Sequence, residues 1–462
     1  MSVDFQNCFT IILLCLLSFL CYSLFFKKPK NGFNLPPSPP SLPVIGHLHL
    51  FLSLLIHKSL QKLSSKYGPL LYLRVFNVPI VLVSSSSIAY EIFRSQDVNV
   101  SSRNFPMNEG FLIFSSLGIF TAPYGDHWKF MKKLVVTKLL GPQAIERSQG
   151  VRAKELERFY LNLLDKSMKK ESVDIVEEAM KLVNNSICKI IMGRICSEED
   201  GEAECIRGLV TKSDALTKKL FLAAILHKPL KKLGISLFER KTVLEEHHQG
   251  SDMMDVLLEA CGDENAEYKI TRNHIKSLFV DLLIAATDSS TYTIQWIMGE
   301  IMNNSYILEK LKEEIDSVVG KTRTFQEGCD IGGFYIPEKT KLIVNGYAKM
   351  RDPANWEDPL EFKPERFLDS SISNQKEEIK EELLKFISVG SGRRGCPGAN
   401  LAYVSVGTAI GVMLQCFDWK IKGDKVNMDE AVGKITLTMA HPLKCTLVPR
   451  NHVPFNFNCA DS

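Results

Sequence analysis

One cysteine in a glycine-rich loop is the strongest chemical signal in this sequence. The segment from Phe386 to Leu401 contains four glycines, Arg393, Arg394 and Cys396, and it continues into an apolar helical pattern. Glycines let the backbone fold closely around a large flat group, and adjacent positive charge favours the thiolate over the thiol. A helix beginning near Pro397 would direct its N-terminal amides at the sulfur. The pattern predicts that Cys396 is a thiolate ligand facing a metal, rather than a packed structural cysteine.

The same loop also matches a dinucleotide-binding fingerprint. Gly390-Ser-Gly392-Arg-Arg-Gly395 has the spacing G-x-G-x-x-G, and a helix follows it. The rest of the chain shows no regular alternation of strands and helices, and two arginines would crowd a Rossmann turn. A nicotinamide-dependent oxidoreductase is therefore the weaker alternative.

Four segments resemble the cytochrome P450 family. The loop resembles the cysteine-ligand pattern Phe-x-x-Gly-x-Arg-x-Cys-x-Gly, with Val389 standing in place of the Phe. Phe362 to Phe367 resembles the Pro-Glu-Arg-Phe motif. Ala285 to Ser289 resembles the oxygen-binding groove of the central helix, and Trp128 to Lys132 resembles the helix that holds a heme propionate.

The resemblance implies a role for each site residue. Cys396 would be the axial ligand of the iron of heme b, and Arg394, Trp128 and Lys132 would contact the cofactor. Asp288 and Ser289 would deliver protons during oxygen activation, since they share a helix face with the small residue Ala285. Taken alone, a polar helix surface explains Asp288 and Ser289 equally well, and a core tryptophan beside solvated lysines explains Trp128 and Lys132.

The activity implied by the resemblance is a heme-thiolate monooxygenation. One oxygen atom from O2 would enter a lipophilic substrate, with electrons from NADPH delivered by NADPH-cytochrome P450 reductase. Within the family the chain is similar to plant microsomal enzymes, and specifically to the crucifer subfamily that oxidises triterpenes such as thalianol. The stretches Leu60 to Gly68 and Met439 to Cys445 carry that closer similarity.

Composition excludes several other classes of protein. The chain has 462 residues, 45% of them hydrophobic, and a formal net charge of +3, so nothing favours nucleic-acid binding. Its twelve cysteines include no C-x-x-C spacing, which argues against a zinc site and a disulfide framework.

The N-terminal region predicts a membrane anchor. Residues 1–8 would be a short lumenal terminus, 9–26 a transmembrane helix, 27–43 a basic and proline-rich hinge, and 44–462 the P450 domain. Lysines directly after the apolar run predict that the domain faces the cytosol. The resemblance to plant microsomal enzymes implies that the membrane is that of the endoplasmic reticulum. A cleaved signal peptide is the alternative, and it is disfavoured because Asp4 precedes the apolar run.

Periodicity predicts a mainly α single domain with small β-sheets. Helices are expected at Ser148 to Ser167, Asp174 to Ile191, Asn273 to about Asn303, and Ala399 to Phe417. Two hairpins are expected, one joining Leu70–Val75 to Ile80–Val83 and the other joining Gly333–Ile336 to Lys341–Val344.

Two departures from the family pattern concern missing segments. No Glu-x-x-Arg occurs between the central helix and Arg366, and Val318 to Arg323 runs directly into Thr324. A second gap is expected near Leu237 to Lys241, where a lid helix would lie. Arg366 would normally share a buried network with the missing Glu and Arg, so we expect an unpaired charge that costs about 3–5 kcal/mol. The alternative to an active enzyme is therefore a non-catalytic or wrongly assembled product of the same lineage.

Overall fold

The computed structural model describes residues 34–53, 55–76, 78–103, 117–193, 271–304, 306–307, 323–324, 329–367, 389–432 and 436–450, with five single positions between 204 and 226. The predicted anchor at 9–26 and the predicted gap near Leu237 to Lys241 lie outside these ranges. The predicted gap before Thr324 lies at the edge of the short range 323–324. Two compact units are present. The first comprises Met1–Ser101, Lys228–Ile235 and Lys321–Pro359, and the second comprises Ser102–His227, Ser236–Gly320 and Leu360–Ser462.

Helices provide most of the regular structure among the described residues. They are α1 Leu48–Phe51, α2 Ile56–Tyr67, α3 Ser86–Ser95, α4 Asp126–Leu134, α5 Pro142–Arg147, α6 Gln149–Met168, α7 Ile175–Met192, α8 Arg272–Asn303, α9 Gly346–Lys349 and α10 Ala399–Cys416. A π-helix, Val135–Leu139, continues α4, and short 3-10 turns lie at Pro364–Phe367 and Gly392–Arg394. The four helices predicted from periodicity are confirmed as α6, α7, α8 and α10.

The strands are short. They are β1 Leu70–Val75, β2 Val78–Val83, β3 Ser172–Asp174, β4 Arg323–Thr324, β5 Cys329–Ile331, β6 Phe334–Ile336, β7 Lys341–Val344, β8 Phe417–Ile421 and β9 Lys444–Pro449. This content confirms the predicted mainly α class with small sheets.

A four-stranded sheet in the order β1-β2-β7-β4 organises the first unit. β1 and β2 pair antiparallel, with Leu70 opposite Val83, which confirms the first predicted hairpin. β7 lies parallel to β2, with Ile80 opposite Lys341. Leu71, Leu73 and several other strand residues are fully buried, so apolar burial explains the register.

The second predicted hairpin is wrong. Instead of pairing with β7, β6 pairs antiparallel with β5, with Ile331 opposite Phe334. Gly332 and Gly333 form the two-residue connection with φ of +55° and +76°, the conformation that a tight hairpin requires. β7 is then free to join β2 and β4 in the larger sheet. The two adjacent glycines were the available signal for this hairpin.

The core of the second unit is built from α6, α7, α8 and α10. Leu163, Ile187, Met298 and Ala409 are among its buried members. Side chains fix the helix ends as well: the Asp174 carboxylate accepts from the amide of Val176 at the start of α7. By length and composition α10 alone among the described residues is able to span a membrane, but it contributes to this core.

A smaller apolar cluster joins α4 to the start of α8. Met131 and Leu134 pack with Ile275 and Leu278, and the π-helix contributes Val135. Because α4 carries Trp128 and Lys132, this packing fixes the position of both residues relative to the central helix.

Candidate cysteine-ligand site

The loop that carries Cys396 is closed by backbone hydrogen bonds. The amide of Cys396 donates to the carbonyl of Val389 at 2.9 Å, and that of Gly395 donates to Gly392 at 2.9 Å. Gly392 has φ of +63°, which favours glycine over other residues. Cys396 is a half-buried free thiol, and α10 begins three residues later at Ala399. The loop therefore holds a single thiol just before the start of an apolar helix, as the sequence predicts.

Arg394 is buried within this site, whereas Arg393 is exposed. Two guanidinium nitrogens of Arg394 donate to main-chain carbonyls, one to Ile119 at 3.1 Å and one to Ala122 at 2.6 Å. The guanidinium carbon lies 4.2 Å from the centroid of the Trp128 ring, within range for a cation–π interaction. A 4% exposed arginine with these partners joins the cysteine loop to α4 and to the residues just before it.

Trp128 and Lys132 lie one turn apart in α4 and contact the same region. The indole Nε1 of Trp128 donates to the carbonyl of Ile119 at 3.0 Å, and Trp128 is 4% exposed. Lys132 Nζ donates to the carbonyl of Gly395 at 2.8 Å, next to Cys396. The structure thus brings together Trp128, Lys132, Arg394 and the Cys396 loop, the four parts that the sequence predicted would hold a cofactor.

The predicted proton-delivery residues in α8 have different environments. Ala285 and Ser289 are exposed, and the Ser289 hydroxyl donates to the Ala285 carbonyl at 2.7 Å. Asp288 is only 8% exposed, so it does not share their accessible face. Thr287 and Thr291 are fully buried, and their hydroxyl oxygens have no hydrogen-bond partner within the described ranges. α8 therefore has an accessible stripe of small residues, Ala285 and Ser289, on one side. On another side it has a buried polar patch of Thr287, Asp288 and Thr291.

Residues 117–122 form a loop whose contacts with Trp128 and Arg394 the sequence did not reveal. We name it the acceptor loop because its carbonyls receive the side chains described above. Its Leu117 carbonyl lies 3.2 Å from His127 Nε2, and its Phe120 amide donates to Asp281 Oδ2 at 3.0 Å. Asp281 was detectable as a carboxylate within an apolar helical run. Backbone acceptors leave no such trace in a sequence.

Two histidines lie beside the acceptor loop. The His127 and His274 ring centroids are 4.9 Å apart, and His274 Nδ1 accepts from the amide of Thr271 at the start of α8. Burial lowers the pKa of His127, while a hydrogen bond to Leu117 partly opposes this effect. Burial and the neighbouring His127 lower the pKa of His274. The pair is therefore favoured in its neutral form.

Arg366 has a different environment from the one expected. It is half-buried, its Nε donates to the main-chain carbonyl of Lys363 at 3.1 Å, and a terminal nitrogen donates to the main-chain carbonyl of Glu361 at 3.2 Å. Both carbonyls lie just before the turn Pro364–Phe367, which carries Arg366 itself, so the partners are local in sequence. The predicted free-energy cost of a buried and unpaired Arg366 is therefore wrong, since its guanidinium group is only half-buried and donates hydrogen bonds.

The donor set fits an acidic cofactor that contains a metal. Within the described ranges no three His, Cys, Asp or Glu residues are grouped to hold a metal ion, so Cys396 is a single thiolate candidate. Trp128, Lys132 and Arg394 supply N–H donors that bind neutral carbonyls here, and carboxylates are stronger acceptors for such donors. One cysteine ligand with donors for acidic groups matches heme-thiolate ligation.

The fold and site define a helix-rich heme-thiolate protein. The sequence model of the family described as Cytochrome P450 matches residues 36–329 and 321–445. The chain belongs to the cytochrome P450 family and is a monooxygenase of the plant A-type.

Relatives cover nearly the whole chain. Cytochrome P450 705A22 and Cytochrome P450 705A5 of Arabidopsis thaliana are each 60% identical to it, over 97% of this chain and 98% of each relative. The 3,9-dihydroxypterocarpan 6A-monooxygenase of Glycine max is 35% identical, over 96% of this chain and 98% of that protein.

The comparisons also locate a break in the pattern. The family model matches as two segments that overlap at residues 321–329, and the sequence has no Glu-x-x-Arg between α8 and Arg366. The alignment with Cytochrome P450 705A22 runs over 503 positions, whereas 97% of 462 residues is about 448. About 55 aligned positions therefore have no counterpart in this chain.

Proposed function

We propose that this P450 inserts one oxygen atom into a lipophilic plant metabolite, and that the substrate is a triterpenoid. Cys396 is the proposed ligand of the heme iron, and the observation that carries this assignment is its closed loop, joined to α4 through Arg394 and Lys132. The triterpenoid class rests on the likeness of Leu60 to Gly68 and Met439 to Cys445 to the crucifer subfamily.

Each site residue has a proposed task. When bound, heme supplies the oxygen activation that no side chain provides. Arg394, Trp128 and Lys132 bind and orient the acidic edge of the cofactor, because they already lie together beside the loop. Ser289 holds a proton at its Oγ on the accessible stripe of α8, and Asp288 supplies the neighbouring carboxylate.

The proposed cellular context follows from charge and from the N-terminus. Residues 9–26 anchor the protein in the endoplasmic reticulum membrane, with the catalytic body in the cytosol. NADPH-cytochrome P450 reductase delivers the electrons and docks on the exposed cations Lys129, Lys133 and Arg393. Lys132 is not part of this docking surface, because its ammonium group is bound to Gly395.

The carbon monoxide difference spectrum of the reduced full chain tests the assignment of Cys396. A thiolate-ligated heme gives a strongly red-shifted Soret band, and we expect this band from the unmodified chain. Cys396→Ala removes the proposed ligand and should abolish the band. Cys416→Ala is the matched control, since it removes a buried thiol from the far end of α10. Loss of the band in both variants, or in neither, would contradict the assignment.

Substrate class needs a separate measurement. Thalianol-like triterpenes should change the absorbance spectrum of the oxidised protein and, with reductase and NADPH, yield products that carry one added oxygen atom. A spectral change with flavonoid-type phenols but not with triterpenes would replace the triterpenoid class.

A second candidate function is a non-catalytic product of the same lineage. One observation favours it: the family match is broken at residues 321–329, and no Glu-x-x-Arg follows α8. This candidate requires protein that accumulates without a carbon monoxide band. Sequencing a transcript across Lys321 to Thr324 separates a real gap from an assembly error, since an unbroken read carrying the extra helix would remove the basis for this candidate.

A further inference from the structure

The acceptor loop is held by polar contacts from several segments of the second unit. Trp128 and Arg394 both donate to its Ile119 carbonyl, and Arg394 also donates to Ala122. These are the residues proposed to hold the cofactor. The position of the acceptor loop therefore determines where their side chains lie.

Asp281 of α8 contacts the middle of this loop. Its Oδ2 accepts a hydrogen bond from the Phe120 amide at 3.0 Å, and Asp281 is 6% exposed. A Cβ at Gly118 would lie 2.4 Å from the same oxygen and 3.0 Å from Ser277 Oγ. A side chain at position 118 would therefore displace the carboxylate, so glycine at this position permits the close approach of loop and helix.

Phe120 is held from two sides by opposite charges. Asp281 accepts from its amide, while Arg103 donates to its carbonyl at 2.9 Å and stacks on its ring at 4.3 Å. Arg103 is 8% exposed. Hydrogen bonds to buried charged groups are among the stronger ones in proteins, so the Phe120 main chain is firmly fixed.

Asp281 also connects the loop to the proposed proton-delivery stripe. Positions 281, 285 and 289 follow one another at intervals of four residues in α8, so they lie along one side of the helix. Asp281 is buried, whereas Ala285 and Ser289 are exposed. The acceptor loop thus contacts this side of α8 at Asp281, and Ala285 and Ser289 remain accessible one and two turns further on.

We propose that Asp281 is a positioning residue that fixes the acceptor loop through the Phe120 amide and so aligns Trp128 and Arg394 beside Cys396. The proposal rests on the proposed heme site for its functional meaning. Its structural part, the control of the loop by Asp281, is measurable without any cofactor.

Hydrogen–deuterium exchange of the full chain tests the structural part. Asp281→Ala removes the acceptor, and we expect amide exchange in 117–122 to rise about tenfold to a hundredfold, as loss of a charged hydrogen bond implies. Exchange in α6 and α10 should stay within about twofold of the unmodified chain, because local opening does not require global unfolding. Asp281→Asn keeps an acceptor oxygen without the charge, so its loop exchange should fall between the two.

If the alanine variant does not fold, the asparagine variant carries the test alone. A rise confined to the loop supports the proposal, and unchanged loop exchange or an equal rise in α6 and α10 overturns it. Asp165→Ala is the matched control, since Asp165 is an exposed carboxylate of the same unit.

Heme content per polypeptide then tests the functional part. We expect it to fall severalfold in Asp281→Ala and to take an intermediate value in Asp281→Asn, as loop exchange does. If the unmodified chain binds no heme, the proposed function fails while the exchange result stands. If it binds heme and the alanine variant loads equally well, the positioning role in cofactor binding is overturned.

Discussion

Lys132 in α4 donates from Nζ to the carbonyl oxygen of Gly395 at 2.8 Å, across 263 positions of sequence. Gly395 directly precedes Cys396, so this single contact ties the helix to the loop that carries the proposed ligand. Since the ammonium group is half-buried against a carbonyl, Lys132 has a local structural task as well as its proposed contact with the cofactor.

Lys132→Met should loosen the cysteine loop. The substitution keeps the aliphatic stem but removes the charged donor, so the Gly395 carbonyl loses its partner at a cost of about 1–3 kcal/mol. We expect lower heme retention after gel filtration. Lys133→Met is the control, because Lys133 is exposed. Equal retention in the two variants would contradict the role of Lys132.

Arg394→Lys should destabilise the second unit. Lysine cannot reach the Ile119 and Ala122 carbonyls with a planar fork, nor stack on Trp128 as a guanidinium does. We expect thermal unfolding to show a loss of about 1–3 kcal/mol. The exposed neighbour gives the comparison: Arg393→Lys should change stability by less than about 0.5 kcal/mol. Similar losses in both would show that burial of Arg394 is not decisive.

Lys349→Met should stabilise the first unit. Lys349 is fully buried, and burial lowers its pKa to about 7, well below the usual lysine value of about 10.4. Between these pH values the unfolded chain binds a proton that the folded chain lacks, so stability rises with pH. The gain from Met should be on the order of a few kcal/mol near pH 7 and should shrink towards pH 10.

Denaturant unfolding at several pH values measures this gain. Lys339→Met is the matched control, because the Lys339 side chain is 71% exposed and its removal relieves no burial cost. A gain that is independent of pH, or a loss of stability, would rule out the burial penalty as its cause.

Acid should weaken the contact between α4 and α8. The pKa values of His127 and His274 are both lowered in the folded chain. The contribution of these two residues to the unfolding free energy is therefore complete above about pH 6.5, and it is lost as the pH falls through their pKa values in the folded chain. His127→Gln removes one of the two titrating rings and the repulsion between two imidazolium groups. The unfolding free energy of this variant should therefore depend less steeply on pH between about 7 and 5.

Circular dichroism during urea unfolding follows this dependence. His441→Gln serves as the control because His441 is exposed. The same acid slope in His127→Gln as in the unmodified chain would exclude the histidine pair as the sensitive element.

The sequence alone determined the long helices and the local chemistry of the loop. Helices α6 and α7 follow from apolar periodicity, which depends only on neighbours three and four residues apart, whereas α8 and α10 follow from long apolar-rich runs without proline. Cys396 and its glycines follow from residue type, since Gly390 and Gly392 adopt φ values that few other residues tolerate. These features are set by short-range geometry, and a one-dimensional pattern records them.

Only the tertiary structure decided the partners. β7 pairs with β2 rather than with β6. Asp288 is buried although its neighbour Ser289 is exposed, and Arg394 donates to the carbonyls of Ile119 and Ala122. Each outcome depends on the packing of segments that lie far apart in sequence. Backbone carbonyls are identical at every residue, so no pattern of side chains reveals which of them a buried donor will reach.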